Sequence, residues 1–287
     1  MEVLRLDDPR KWLALAEPLL LEDEARNDLP LGIADTLIRH PSVYPSRHLW
    51  VVGDGRRVVG AALQTPPHNL ALAGPAERRS IVALARAILD AGIQLPGVTG
   101  AEPEASGFAG EWLGLTGGAS RTVGGQGVYR LETVLDVPAA PGGSRRAERP
   151  EDLALVLRWM AAFDDEAVPP ELRGDPDQRR RRMETVFSSD EGGFWLWEEA
   201  STPASMAGVG SFTPNGARVG PVYTPPEMRG HGYATSLVAW VSSNQLSLGR
   251  TFCFLHTDLA NPTSNAIYQR IGYERVCDAV ALAFDLV

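Results

Sequence analysis

Apolar and polar positions alternate over the first eight residues in the manner of a strand, and helical periodicity follows over 10–24 and on to Arg39. Short apolar runs come next. Trp50-Val51-Val52 leads to Val58-Val59-Gly60-Ala61-Ala62-Leu63-Gln64-Thr65-Pro66, and residues 68–73 read as a further strand. In the second half, residues 151–163 place Leu153, Val156, Leu157, Met160 and Phe163 on one helical stripe. Trp195-Leu196-Trp197 then leads to Met206-Ala207-Gly208-Val209-Gly210-Ser211-Phe212-Thr213-Pro214. Residues 219–223 and 252–255 read as strands, 234–248 as an amphipathic helix, and 262–271 as a short helix. The pattern predicts an α/β (α+β) protein.

The two halves repeat. Gly60 to Thr65 and Gly208 to Thr213 have the same separation, and each follows a tryptophan-bearing strand. Each half opens on helices, continues through a hairpin and a further strand, and closes with helix, strand, short helix and final strand. Pro138-Ala139-Ala140-Pro141-Gly142-Gly143 has linker composition, which places the expected domains at 1–137 and 144–287 with 138–143 between them. At 287 residues the chain is long enough for two domains of about 140 residues, each with its own core.

Composition narrows the chemistry. The net charge of −9 is spread over both halves, with 13 basic against 17 acidic residues before position 144 and 14 against 19 after it. Neither half carries the basic surplus of a nucleic-acid binder, and the run Arg179 to Arg182 lies among acidic residues as a solvated helix face would. No apolar run approaches the ~20 residues that span a bilayer, and the N-terminus has no signal-peptide core, so a cytoplasmic location is expected. The one lysine, Lys11, lies outside any motif, which removes Walker-type nucleotide loops and pyridoxal Schiff bases. Cys253 and Cys277 have neither metal-ligand spacing nor a disulfide pattern and read as buried free thiols in strands, so no metal is expected.

Arg229-Gly230-His231-Gly232-Tyr233-Ala234 falls between a strand and a helix. Glycines there bare the backbone and let consecutive N–H groups turn inward at the positive end of the helix dipole, the setting of a phosphate or pyrophosphate seat. Arg229 adds a positive charge at its rim. Thirty residues on, Asn261 suits an N-cap, Pro262 the first helical position and Gly272 the residue past the helix end. Ile267 and Ile271 would face the core, while Ser264 and Tyr268 present hydroxyls on a neighbouring face.

On these two motifs, residues 144–287 resemble a GCN5-related N-acetyltransferase (GNAT) domain. The family's loop, Arg/Gln-x-x-Gly-x-Gly/Ala, is matched by Arg229, Gly232 and Ala234. Its last helix, Asn-x-x-Ser-x-x-x-Tyr-x-x-x-Gly-Phe/Tyr, is matched by Asn261, Ser264, Tyr268, Gly272 and Tyr273. The resemblance implies two tandem GNAT-like domains, each a mixed, mostly antiparallel twisted sheet flanked by helices. The first is degenerate: after its strand at 68–73 comes Gly74-Pro75-Ala76-Glu77-Arg78-Arg79-Ser80, which lacks the loop, and Pro75 has no N–H to offer.

The resemblance further implies transfer of an acetyl or acyl group from acetyl-CoA to an amine of a small molecule or peptide, by direct attack in a ternary complex. Val222, Tyr223 and Thr224 would hold the pantetheine arm, Met228, Arg229, Gly230, His231, Gly232, Tyr233 and Ala234 the pyrophosphate, and Asn261 and Ser264 the arm from the other side. Tyr268 would be the general acid. The base or amine contact stays open among Glu166, Glu198, Glu199 and His256, with Glu166 preferred. Expected partners are a small-molecule amine acceptor and at most a second copy of the chain, with no nucleic acid and no membrane. The other classes to weigh are a non-catalytic acetyl-CoA sensor and a protein-interaction scaffold.

Overall fold

A computed structural model describes residues 1–285 except 75, 171, 172, 174, 188 and 189. Pro75 thus lies outside the described residues. Two compact units divide the chain, Met1–Gly127 with Val276–Val287, and Val128–Arg275.

The first unit runs through β1 (Glu2–Leu6), α1 (Pro9–Leu20), α2 (Asp28–Arg39), β2 (His48–Gly53), β3 (Val58–Gln64), β4 (Leu70–Leu72), α3 (Arg78–Asp90), β5 (Gly97–Ala101) and α4 (Glu104–Thr116), and the chain leaves it along β6 (Ala119–Leu131). The second contains β7 (Gly143–Arg146), α5 (Pro150–Ala167), α6 (Pro176–Phe187), β8 (Gly193–Glu199), β9 (Thr202–Gly210), β10 (Gly216–Tyr223), α7 (Tyr233–Ser247), β11 (Phe252–Asp258) and α8 (Pro262–Ile271), and the chain leaves it along β12 (Glu274–Asp285).

The sheets repeat one plan. In the first unit the order is β1-β2-β3-β4-β5-β12, and in the second β7-β8-β9-β10-β11-β6. The pairs β2/β3, β3/β4, β8/β9 and β9/β10 are antiparallel, and β4/β5 and β10/β11 are parallel. Alternation on the strands feeds two cores in each unit. Trp50 and Val52 pack with Leu84, Phe108 and Trp112, whereas Leu49 and Val51 pack with Trp12, Leu20 and Leu31. In the second unit Trp195 and Trp197 pack with Leu237 and Val241, and Phe194 and Leu196 with Val156 and Met160. Strands apolar on both faces are what helices on both faces require.

The units do not divide at the Pro/Gly stretch. Residues 138–143 lie inside the second unit, where the Ala140 N–H donates to Ser236 Oγ (2.8 Å) and Trp197 Nε1 donates to the Pro141 carbonyl (2.9 Å). Linker composition reports backbone shape and not detachment. Residues 276–287, expected in the second domain, belong to the first: β12 pairs antiparallel with β5 from Ala279↔Ala101 to Ala283↔Gly97. A β-carbon on Gly97 would overlap the Leu282 carbonyl oxygen. Gly97→Ala should therefore cost about 3 kcal/mol by overpacking and lower the melting temperature by roughly 6–12 °C in a thermal scan.

Two helices differ from their sequence reading. The buried face of α5 centres on Asp152, Val156, Met160 and Asp164, with Leu153 and Leu157 to one side. Asp152 is buried because Arg145 binds both its oxygens, Nη1 at 2.6 Å and Nη2 at 2.7 Å, and this pairing holds its carboxyl below the usual range. Helix α7 is buried on most of its circumference, including Thr235, Ser236, Ser242 and Gln245, rather than on one stripe.

Candidate active site

Strands β10 and β11 pair over three registers only, Gly216↔Phe252 to Arg218↔Phe254. On its other edge β10 stays with β9, with a register shift between Val219 and Val222. Beyond Arg218 both strands continue without each other, and backbone groups on the facing edges are left without a ladder. A cavity of about 680 Å³ lies within this unit, lined by the end of β10, the start of α7 and α8.

Val222, Tyr223 and Thr224 line it from the strand, Met228, Arg229, Gly230, Gly232, Tyr233 and Ala234 from the loop and helix start, and Asn261, Ser264 and Tyr268 from α8. Of the residues singled out for cofactor binding, His231 alone does not line the cavity. Its ring is exposed and stacks on Tyr233 at 5.5 Å.

Gly230 and Gly232 have φ of 83° and 82°, a region that L side chains enter at a cost. Gly232 is the N-cap of α7 and no side chain caps that helix, so its first-turn N–H groups are not taken by a capping oxygen. This bare, positively polarised end opening on a cavity fits a diphosphate. On α8, Asn261 Oδ1 accepts from the Ser264 N–H at 3.0 Å, and Gly272 ends the helix at φ 113°.

Tyr268 is buried in the core beside Leu237, Ile271 and Tyr273, with Tyr273 edge-on at 6.0 Å. Burial pushes its phenol up to about 12, so it stays protonated through the ordinary pH range. It is a hydroxyl donor on the cavity wall.

Among the candidate bases, only Glu166 reaches the cavity, from the last turn of α5. Its Oε2 accepts from Arg229 Nη2 at 2.6 Å and its Oε1 from the Tyr223 hydroxyl at 3.3 Å. Burial, and then the Glu166 charge, raise the Tyr223 phenol, which keeps it a donor. Glu198 is tied to Arg145 at 2.7 Å, Glu199 accepts from the Tyr233 hydroxyl, and His256 sits within β11; none of the three lines the cavity. The two glutamates are adjacent on β8 and so sit where partners on its opposite faces claim each carboxylate.

Sequence reasoning passed over Phe163, Asp258 and Arg270, which also line the cavity. Phe163 was legible only as the last residue of a core stripe. Asp258 ends β11, and its Oδ1 accepts the Ala260 N–H at 2.8 Å in the turn before Asn261. Its place at the end of a strand and shortly before an N-cap is the signal that could have found it.

The chain shares its fold with solved GNAT structures. An acetyltransferase from the GNAT family of Colwellia psychrerythraea is 10% identical with a TM-score of 0.58, each chain being covered over 100%. A tandem GNAT protein from the clavulanic acid biosynthesis pathway is 18% identical with a TM-score of 0.61, over 99% of this chain and 98% of that one. A GCN5-related N-acetyltransferase from Sphaerobacter thermophilus is 17% identical with a TM-score of 0.60, over 98% and 95%. No curated protein matches the chain in sequence. The model of the acetyltransferase (GNAT) family matches residues 157–273.

Proposed function

We propose that the protein is an N-acetyltransferase that moves an acetyl group from acetyl-CoA to an amine of a small molecule or peptide in a ternary complex. The observation that carries this reading is that a glycine-opened helix start and a buried, protonated phenol line one cavity where two parallel strands part. Acetyl-CoA supplies the thioester carbonyl that the amine attacks. The free edge of β10 at Val222, Tyr223 and Thr224 holds the pantetheine arm by backbone hydrogen bonds, and the first-turn N–H groups of α7 hold the diphosphate. Asn261 and Ser264 contact the arm from α8. Tyr268 gives its proton to the sulfur as the thiolate departs.

Titration calorimetry with acetyl-CoA, followed by thiol release across a panel of primary amines and amine-bearing peptides, tests the reading. Saturable binding with turnover supports it; binding without turnover in any amine would leave a sensor, and no binding would leave a scaffold.

Tyr268→Phe should lower kcat by about 10²-fold while the Kd for acetyl-CoA stays within about threefold. An acid works only while protonated. With the phenol at about 12, the wild-type rate should rise as the acceptor amine loses its proton and should show no fall up to about pH 10. A descending limb below that pH would assign the proton to another group.

A further inference from the structure

Arg229 occupies the charged position of the glycine loop, where the resemblance gives its guanidinium to the diphosphate. Two of its three nitrogens are engaged elsewhere. Nε donates to the Thr224 carbonyl at 2.9 Å, Nη2 donates to Glu166 Oε2 at 2.6 Å, and the guanidinium carbon lies 5.9 Å from the centre of the Tyr223 ring. Tyr223 donates to the second carboxylate oxygen, so Glu166 is gripped by two residues at opposite ends of one short segment, the last of β10 and the first of the glycine loop. The Thr224 hydroxyl is itself 2.9 Å from Ser205 Oγ, which also donates to the Tyr223 carbonyl at 3.1 Å. The platform that holds Arg229 is therefore fixed to β9.

Arg229 and Glu166 remain 48% and 44% exposed, and a half-exposed pair contributes little to stability. Its effect is on where the carboxylate sits. The diphosphate, for its part, meets bare N–H groups at Gly230 and Gly232 and at the uncapped start of α7, a seat that needs no side chain.

We propose that Arg229 is a positioning residue: with Tyr223 it fixes the Glu166 carboxylate at the cavity wall to receive the acceptor's amine, and the diphosphate is held by the loop backbone without it. This rests on the acetyltransferase reading above. The carboxylate is thereby a hydrogen-bond acceptor set in one place. Both of its oxygens already accept bonds from Tyr223 and Arg229, so the amine's proton passes to water.

Arg229→Gln keeps a donor for the Thr224 carbonyl and removes the charge that holds Glu166. Calorimetry with acetyl-CoA should give a Kd within about threefold of the wild type. Amide hydrogen exchange over residues 163–168, the last turn of α5, should quicken about tenfold as that turn loses its tether. Glu166→Gln should quicken the same amides, and Arg229→Lys should restore protection. A Kd weakened more than about tenfold in Arg229→Gln would put the guanidinium on the diphosphate and overturn the proposal alone, as would unchanged exchange. Failure of the wild type to bind acetyl-CoA would overturn the acetyltransferase reading, and the role of Glu166 with it.

Discussion

Residues 144–287 produced alone should fail to fold, and so should residues 1–137. The cut at the Pro/Gly stretch takes from the first unit the strand that pairs with β5, and with it Val280, Leu282 and Phe284 from the core. Burial of three such side chains is worth roughly 5–9 kcal/mol, against a stability of about 5–15 kcal/mol for a whole domain. The same cut takes Tyr129 and Leu131 from the core of the second unit, together with the hydrogen bond from Tyr129 to Asn265 Oδ1 at 2.9 Å. Leu135, whose N–H donates to the Ile271 carbonyl at 2.8 Å, is lost as well. Circular dichroism with thermal melting checks the expectation. The full chain should melt cooperatively and neither piece should; a cooperative transition from either piece would mean that the exchanged strand is dispensable. Deleting 276–287 from the full chain should likewise remove the first unit's transition.

The other large effect should come from Gly232→Glu, with acetyl-CoA affinity falling at least about 100-fold, or some 2.7 kcal/mol. Two costs add. A left-handed φ of 82° disfavours any side chain by about 1–2 kcal/mol, and the new carboxylate sits at the helix N-terminus, where it competes with the diphosphate for the same N–H groups. The nearest atom to the new β-carbon would be the Ala140 β-carbon at 3.8 Å, an ordinary contact, so the fold should persist. Gly230→Ala serves as control. It carries the same backbone strain in open space with no added charge, and should lose far less affinity. Equal losses in the two variants would assign the effect to backbone geometry rather than to charge in the anion seat.

How far the structure was legible depends on the range of the forces involved. Capping and turn chemistry are local, and Asn261, Gly232 and Gly272 stand where their side chains, or lack of them, predict. Strand alternation and the repeated hairpins are also local, so both copies of the sheet could be read. The destination of β12 could not. A strand apolar on alternate positions satisfies any sheet edge of matching register, and nothing in residues 276–285 names β5 as its partner. Asp152 was passed over for a related reason, since its burial depends on Arg145, a neighbour seven positions away on another element. The placement of Arg229 follows the same rule: a motif fixes the backbone around it, while the guanidinium goes to whichever carboxylate and carbonyl the tertiary fold brings near.

The exchanged strand also orders events in time. Asn69 Nδ2 reaches the Leu282 carbonyl across 213 positions of sequence, and β5 waits for a partner made after nearly everything else. The unit whose residues are synthesised first is thus the last to be completed. Until then its β5 edge stays open, with Val98 and Gly100 presented to any strand that passes, and a chaperone that shields that edge during synthesis would act at the moment of greatest exposure.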